Sequence, residues 1–225
     1  MSQHELRRTF HDDLAVLRGR VEAMARVVVS GTETVTAALL AGDVEAAAAV
    51  IAADAFIDAV YPTVEADVFS LVARQAPVAR DLRFLMATLR VAQEIERSGD
   101  LIASVGRRVG AIDPRSLTAE VRFLLEEMGR QAAIMFRAAA GCYSVLDAEG
   151  AAWVRDADDA MDALHHRLLQ QLFTASEGTV ASTVELGHIS RFYERVADHA
   201  VVIAERVCFV AQGEMNAGDA DERTY

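Results

Sequence analysis

A carboxylate pattern that occurs twice restricts this chain more than any other feature. Asp54-Ala-Phe-Ile-Asp58 is answered by Asp158-Asp-Ala-Met-Asp162, and Glu96-Arg-Ser-Gly-Asp100 by Glu194-Arg-Val-Ala-Asp198. The offsets are 104 and 98 residues, which a loop six residues shorter in the second half reconciles. Each pair is spaced i, i+4, so both acids project from one side of a helix. Such a chain is expected to be a tandem of two similar helical units.

The rest of the sequence agrees with helix. Three prolines and 13 glycines are spread over 225 residues, and Ala, Leu, Arg and Glu fill the intervals. No run alternates apolar and polar residues between turn signals, as a strand would. The breakers predict six helices. The first covers about 5–40 and stops at Gly42, after which Asp43 can cap the second, ending near Arg74 before Pro77 with Pro62 inside it. The third covers about 77–110, the fourth about 116–145, the fifth about 150–174 and the sixth about 178–212. Asp113-Pro114 marks the midpoint. The fold class is therefore all-α, with two tandem three-helix bundles at 1–112 and 113–212 and a disordered polar tail at 213–225.

Apolar spacing separates core from surface. Val91, Ile95, Ile102, Val105 and Val109 share a stripe, as do Ile189, Tyr193, Ala200, Ile203 and Val207. In the second helix the stripe is Val50, Ile57, Val60, Val64 and Leu71. The carboxylates fall off these stripes. Asp54, Asp58, Tyr61 and Glu65 form one column, and Asp158, Asp162, His165 and Leu169 form its counterpart. Each repeat therefore offers four acids: Asp54, Asp58, Glu96 and Asp100, then Asp158, Asp162, Glu194 and Asp198.

Like charges at i, i+4 repel by a few tenths of a kcal/mol, and a multivalent cation would relieve this while gaining oxygen ligands. The donor set suits Mg, Mn or Ca, and Fe where histidine joins; His165 or His199 could add nitrogen in the second repeat alone. The competing reading is a solvated acidic face neutralised by Arg97 and Arg195. Glu185-Leu-Gly-His188 has the ExxH spacing of a di-iron bundle, with Asp162-Ala-Leu-His165 as an imperfect second motif. Trp153 is expected to anchor helix four to helix five, and Cys142 and Cys208 to pack in the interior.

Composition removes several classes. With 34 acidic against 22 basic residues the formal charge is −12, which repels nucleic-acid phosphates. P-loop, GxSxG and HExxH motifs are absent. Two cysteines outside any CxxC, and a polar start without a signal-like apolar stretch, predict a cytoplasmic chain. No apolar run of membrane-spanning length stands out.

Two longer stretches carry a family likeness. Arg74-Gln-Ala-Pro-Val-Ala-Arg-Asp-Leu-Arg83 followed by Glu96-Arg-Ser-Gly-Asp100 resembles the first-repeat signature of the PhoU family. Arg191-Phe-Tyr-Glu-Arg-Val-Ala-Asp-His-Ala200 with Ile203-Ala-Glu-Arg-Val207 and Gln212-Gly-Glu214 resembles the second. The likeness covers about residues 5–214. It implies two bundles related by a pseudo-twofold axis, a homodimer, and no enzymatic activity. It implies a negative regulator of the phosphate-starvation response, linking a phosphate transporter, through its ATPase subunit, to a membrane sensor histidine kinase. It also implies metal binding at Asp54/Asp58, Glu96/Asp100, Asp158/Asp162 and Glu194/Asp198. The chain departs from the family pattern at Leu101, where the first repeat often has histidine, and Leu169 stands at the place of Glu65. Three classes follow: a phosphate-signalling adaptor, a metal-dependent enzyme of di-iron type, and a plain helical scaffold.

Overall fold

The computed structural model describes residues 3–174 and 180–213, and every regular element among them is helical. The helices are α1 (Gln3–Ala41), α2 (Val44–Gln75), α3 (Ala79–Gly106), α4 (Ala119–Val145), α5 (Ala148–Asp156), α6 (Asp158–Thr174) and α7 (Val180–Gln212). Two short 3₁₀ turns, Val109–Ala111 and Pro114–Ser116, join α3 to α4. The polar tail expected to be disordered lies outside the described residues from 214 onward, as does the 175–179 connection.

The six predicted helices are present, the fifth as two segments. Asp147 caps α5 by accepting from the Glu149 and Gly150 amides, so Gly150 lies inside the helix rather than at its turn. A single turn residue, Ala157, then separates α5 from α6, and the Gln131 side chain donates to its carbonyl. The three aspartates at 156, 158 and 159 favour helix ends over helix interiors, which accounts for the break. Asp43 caps α2 as its sequence suggests, and α2 runs through Pro62 without interruption.

Helices α1, α2 and α3 form one bundle and α4, α5–α6 and α7 the other, related by a pseudo-twofold axis. Along the seam α1 packs on α4 and α3 on α7, and one continuous apolar core runs through both halves. All five residues of each stripe expected on the third and sixth helices are buried. In α2, Val50, Ile57, Val64 and Leu71 are buried and Val60 is partly so. Cys142 is buried and Cys208 half-buried. Trp153, expected as an anchor between helices, is 48% exposed, whereas its neighbours Ala151 and Val154 are buried in the core.

From Arg8 to Ala41, α1 is long and apolar enough by composition to cross a bilayer, which the sequence reading did not expect. Packing explains the composition. This helix touches α2, α3 and α4, and Leu17, Met24, Val35 and Leu39 along it are buried in the core.

Specific contacts fix the seam. Gly129 of α4 lets α1 approach so closely that a Cβ there would strike Thr36. Thr36 in turn shares a 2.8 Å hydrogen bond with the buried Tyr193 hydroxyl of α7. A second link of the same kind joins the other two inner helices, as Thr88 of α3 meets the Tyr143 hydroxyl of α4 at 2.8 Å.

A charged contact has no such twin. Glu94 of α3, 1% exposed, receives His199 Nδ1 of α7 at 2.5 Å and Arg90 Nε at 2.8 Å. Burial alone would raise the Glu94 carboxyl, but the His199 hydrogen bond and charge, with Arg90, hold it below the ordinary carboxylate range. The 98-residue offset carries Glu94 to Phe192, Arg90 to His188 and His199 to Leu101, so the acid–imidazole pair is not repeated; there the Arg108 guanidinium lies over the Phe192 ring instead. Removing one partner of a buried pair typically costs about 3–5 kcal/mol, whereas an apolar replacement of both is close to neutral. We expect His199→Leu to lower stability by about 3 kcal/mol, and adding Glu94→Phe to recover most of it, as read from urea midpoints. Equal losses in the single and double variants would show that the pair has no coupled role.

Candidate functional site

The carboxylate face of the first repeat is built by the close approach of α2 to α3. Gly99 makes that approach, since a Cβ on it would lie 2.5 Å from Asp54 Oδ1 and 2.8 Å from Ile57 Cδ1. Asp54 is thereby drawn over the α3 backbone, at the mouth of a cleft of about 190 Å³ whose lining includes Val28, Gly31, Ile57 and Ile102. Its Oδ1 is buried without a hydrogen-bond partner. The position equivalent to Gly99 in α7 is Ala197, so the second repeat carries a methyl group where the first has none.

Within each predicted quartet the acids are brought within electrostatic reach of one another. Burial, then the charges of Asp58 and Asp100, push Asp54 up to about 6, with Glu96 adding to the rise and Arg107 opposing it. Glu96 is raised by burial and by Asp100 and Asp58, against Arg97. In the second repeat burial and the Asp198 charge push Glu194 up to about 7; Asp162 and Asp158 add to this and Arg191 opposes it. Among the described residues, no three His, Cys, Asp or Glu side chains converge closely enough to hold a metal ion as they stand.

The two faces differ in what surrounds the acids. Glu194 is only 9% exposed, deeper than its spacing suggested, and pairs with Arg191 rather than with Arg195. Its second oxygen, Oε2, is buried without a hydrogen-bond partner. His165, in the column of Asp158 and Asp162, shares a 2.6 Å hydrogen bond with Ser190, and burial with the Arg191 charge lowers its basicity. His199, offered above as a nitrogen donor to this quartet, instead turns across the seam to Glu94. Sequence spacing missed that buried pair. The signal was available, because Glu94 and Leu101 both break the repeat.

The di-iron arrangement finds no support in the side chains. Glu185 pairs with Arg108 at 3.0 Å, and the exposed His188 ring stacks on Phe192. Neither points toward a second ExxH motif.

A tandem of three-helix bundles, each bearing one acidic helix-pair face, defines a duplicated all-helical protein. The PhoU domain model matches twice, at residues 21–109 and 125–207. The chain belongs to the PhoU family. It is 37% identical over 210 residues to the phosphate-specific transport system accessory protein PhoU homolog 2 of Mycobacterium tuberculosis, covering 92% of this chain and 99% of that relative. It is 35% identical over 216 residues to homolog 1 of Mycobacterium leprae, covering 95% and 97%. The crystal structure of PhoU from Pseudomonas aeruginosa superposes with a TM-score of 0.84 at 24% identity, covering 91% of this chain and all of that one.

The raised carboxyls set a pH dependence. A group that binds its proton more tightly when folded favours folding as pH falls and opposes it as pH rises through its folded value. With chelator present, melting temperature should therefore climb as pH drops from 8 toward 5, through the range of Glu194 near 7 and Asp54 near 6. Asp54→Asn with Glu194→Gln should flatten that climb and raise the melting temperature at pH 8. A steep climb retained in this double variant would place its origin elsewhere.

Proposed function

We propose that this chain is a negative regulator of the phosphate-starvation response and of phosphate uptake. It works in the cytoplasm as an adaptor between the phosphate-specific transporter, through its ATPase subunit, and a membrane sensor histidine kinase. It acts by binding rather than by turnover, as a homodimer. The observation that carries this reading is the likeness, over more than nine-tenths of the chain, to phosphate-specific transport system accessory proteins. A double bundle with carboxylates on both outer helix pairs supports an adaptor, because it offers two fixed surfaces for partners.

Metal enters this reading through the acids. Asp54, Asp58, Glu96 and Asp100 would hold ions in the first repeat, and Asp158, Asp162, Glu194 and Asp198 in the second. Oxygen donors of this kind suit Mg, Mn or Fe. Two of them, Asp54 Oδ1 and Glu194 Oε2, are buried without a hydrogen bond, which favours a cation at each face. Bound metal would bring each face from strongly negative toward neutral and so change which partner surface it accepts. The second face, already carrying Arg191 and His165, should bind ions differently from the first.

Two measurements test the proposal. Deleting the gene should derepress phosphate-starvation reporters in phosphate-rich medium, and the wild-type chain should restore repression; reporters unaffected by deletion would sink the regulatory reading. Elemental analysis of protein purified without chelator, together with its mass in solution, tests metal and dimer. Glu194→Ala with Asp198→Ala should lower the metal content while leaving helical circular dichroism intact. Unchanged stoichiometry would remove the second quartet from the metal site.

A further inference from the structure

The outer face of the α2–α3 hairpin continues past its carboxylates into an exposed apolar field. Gly99 lies level with Asp54 and Ile57, and Gly106 with Ala47 and Ile51. In this antiparallel pair, residues whose numbers sum to about 155 therefore lie side by side. Asp58 is level with Glu96, and Phe69 is level with Met86. At about 100° per residue, Leu82, Met86, Leu89, Glu96 and Asp100 occupy one outward arc of α3, while Asp58, Glu65 and Phe69 lie along the edge of α2 that borders it. Phe69 is 63% and Met86 41% exposed, and Leu82 is exposed as well.

The same layout recurs in the second repeat. The offsets that relate the carboxylates carry Phe69 to Phe173, Leu82 to Val180 and Met86 to Val184, and all three counterparts are exposed. A large exposed phenylalanine with an apolar i, i+4 pair is thus kept beside the acids in both halves. Apolar surface of this kind, next to a charged rim, marks interaction sites.

We propose that the α2–α3 face docks an amphipathic helix of a partner protein. The helix carries an apolar i, i+4 pair and, about three turns along, two or more Lys or Arg residues. The apolar pair seats on Phe69, Leu82 and Met86, and the basic residues reach Asp58, Glu96 and Asp100. The distance between the two fields is about 12 residues on either helix, or roughly 18 Å. Charge complementarity selects this occupant. None of Asp54, Asp58, Glu96 or Asp100 makes an ion pair with a described residue, Arg107 and Arg97 acting on Asp54 and Glu96 only from beyond ion-pair distance, whereas Glu194 of the second face is held by Arg191. The same charge repels an anionic bilayer. The proposal rests on the adaptor reading and names the chemistry of one of its partners.

The test uses the full chain and a labelled 20-residue helical peptide with two leucines at i, i+4 and three lysines three turns away, beside a scrambled peptide of identical composition. Fluorescence anisotropy should show the designed peptide binding at least tenfold more tightly than the scrambled one, with affinity falling as salt rises. Leu82→Asp with Met86→Asp should weaken binding tenfold or more while circular dichroism stays unchanged, which is expected because both side chains are exposed. Asp58→Asn with Asp100→Asn should weaken it several-fold and remove most of the salt dependence. Equal binding of both peptides, or no effect of either double variant, overturns the proposal. So does self-association, or binding to phosphatidylglycerol vesicles, that Leu82→Asp with Met86→Asp abolishes, because the occupant would then be a second copy or a membrane. In cells, that variant should lose repression of the starvation reporters. Full repression by it would refute the docking face while leaving the regulatory reading intact.

Discussion

The shared apolar seam between the two bundles is the constraint from which the rest of the architecture follows. Each three-helix unit has more apolar surface than its own packing can cover. Burying α1 against α4 and α3 against α7 removes that excess from water, at roughly 25 cal/mol per Å². Once those faces are committed inward, the α2–α3 pair and its counterpart, α6 with α7, are left facing outward. The carboxylates sit there because the seam has already claimed the other surfaces. Placement of the acidic faces is therefore a consequence of core formation as much as of any demand of binding.

Within that frame, the close contacts decide the electrostatics. Gly99 draws Asp54 against α3 and strips water from one of its oxygens. Desolvation is the largest cause of the rise in both Asp54 and Glu194, ahead of repulsion by neighbouring acids. These faces therefore store unfavourable free energy at neutral pH, which a proton, a metal ion or a basic side chain would each relieve. That common chemistry would make a proton, a metal ion and a basic side chain competitors for the same groups.

Much of this was legible in the sequence, and for a physical reason. Helix period, repeat offsets and i, i+4 acids are local properties, so the stripes through Val91 and Ile102 and the four acid pairs follow from spacing alone. The misses depend on contacts between distant residues. Trp153 looked like an anchor because tryptophan is large and apolar, but about half of it is exposed on α5. Arg195 looked like the neutralising base, yet Arg191, one turn before Glu194, takes that place. His199 looked like a ligand beside Asp198, but on α7 it projects into the seam, where Glu94 waits. The pair joins residues 105 apart, so the breaks in the repeat at Glu94 and Leu101 were its trace in the sequence, while helix spacing carried none.

The unmatched Glu94–His199 contact also governs how copies of the halves can combine. Two first halves placed seam to seam would set Glu94 against Leu101, leaving a buried carboxylate without its imidazole. Two second halves would set His199 against Phe192, with no acid to receive it. Only a first half against a second satisfies both positions. The duplicated chain has thus lost the interchangeability its repeat implies: its halves have become lock and key to each other, and exchange of halves between molecules can proceed only in the same unlike pairing.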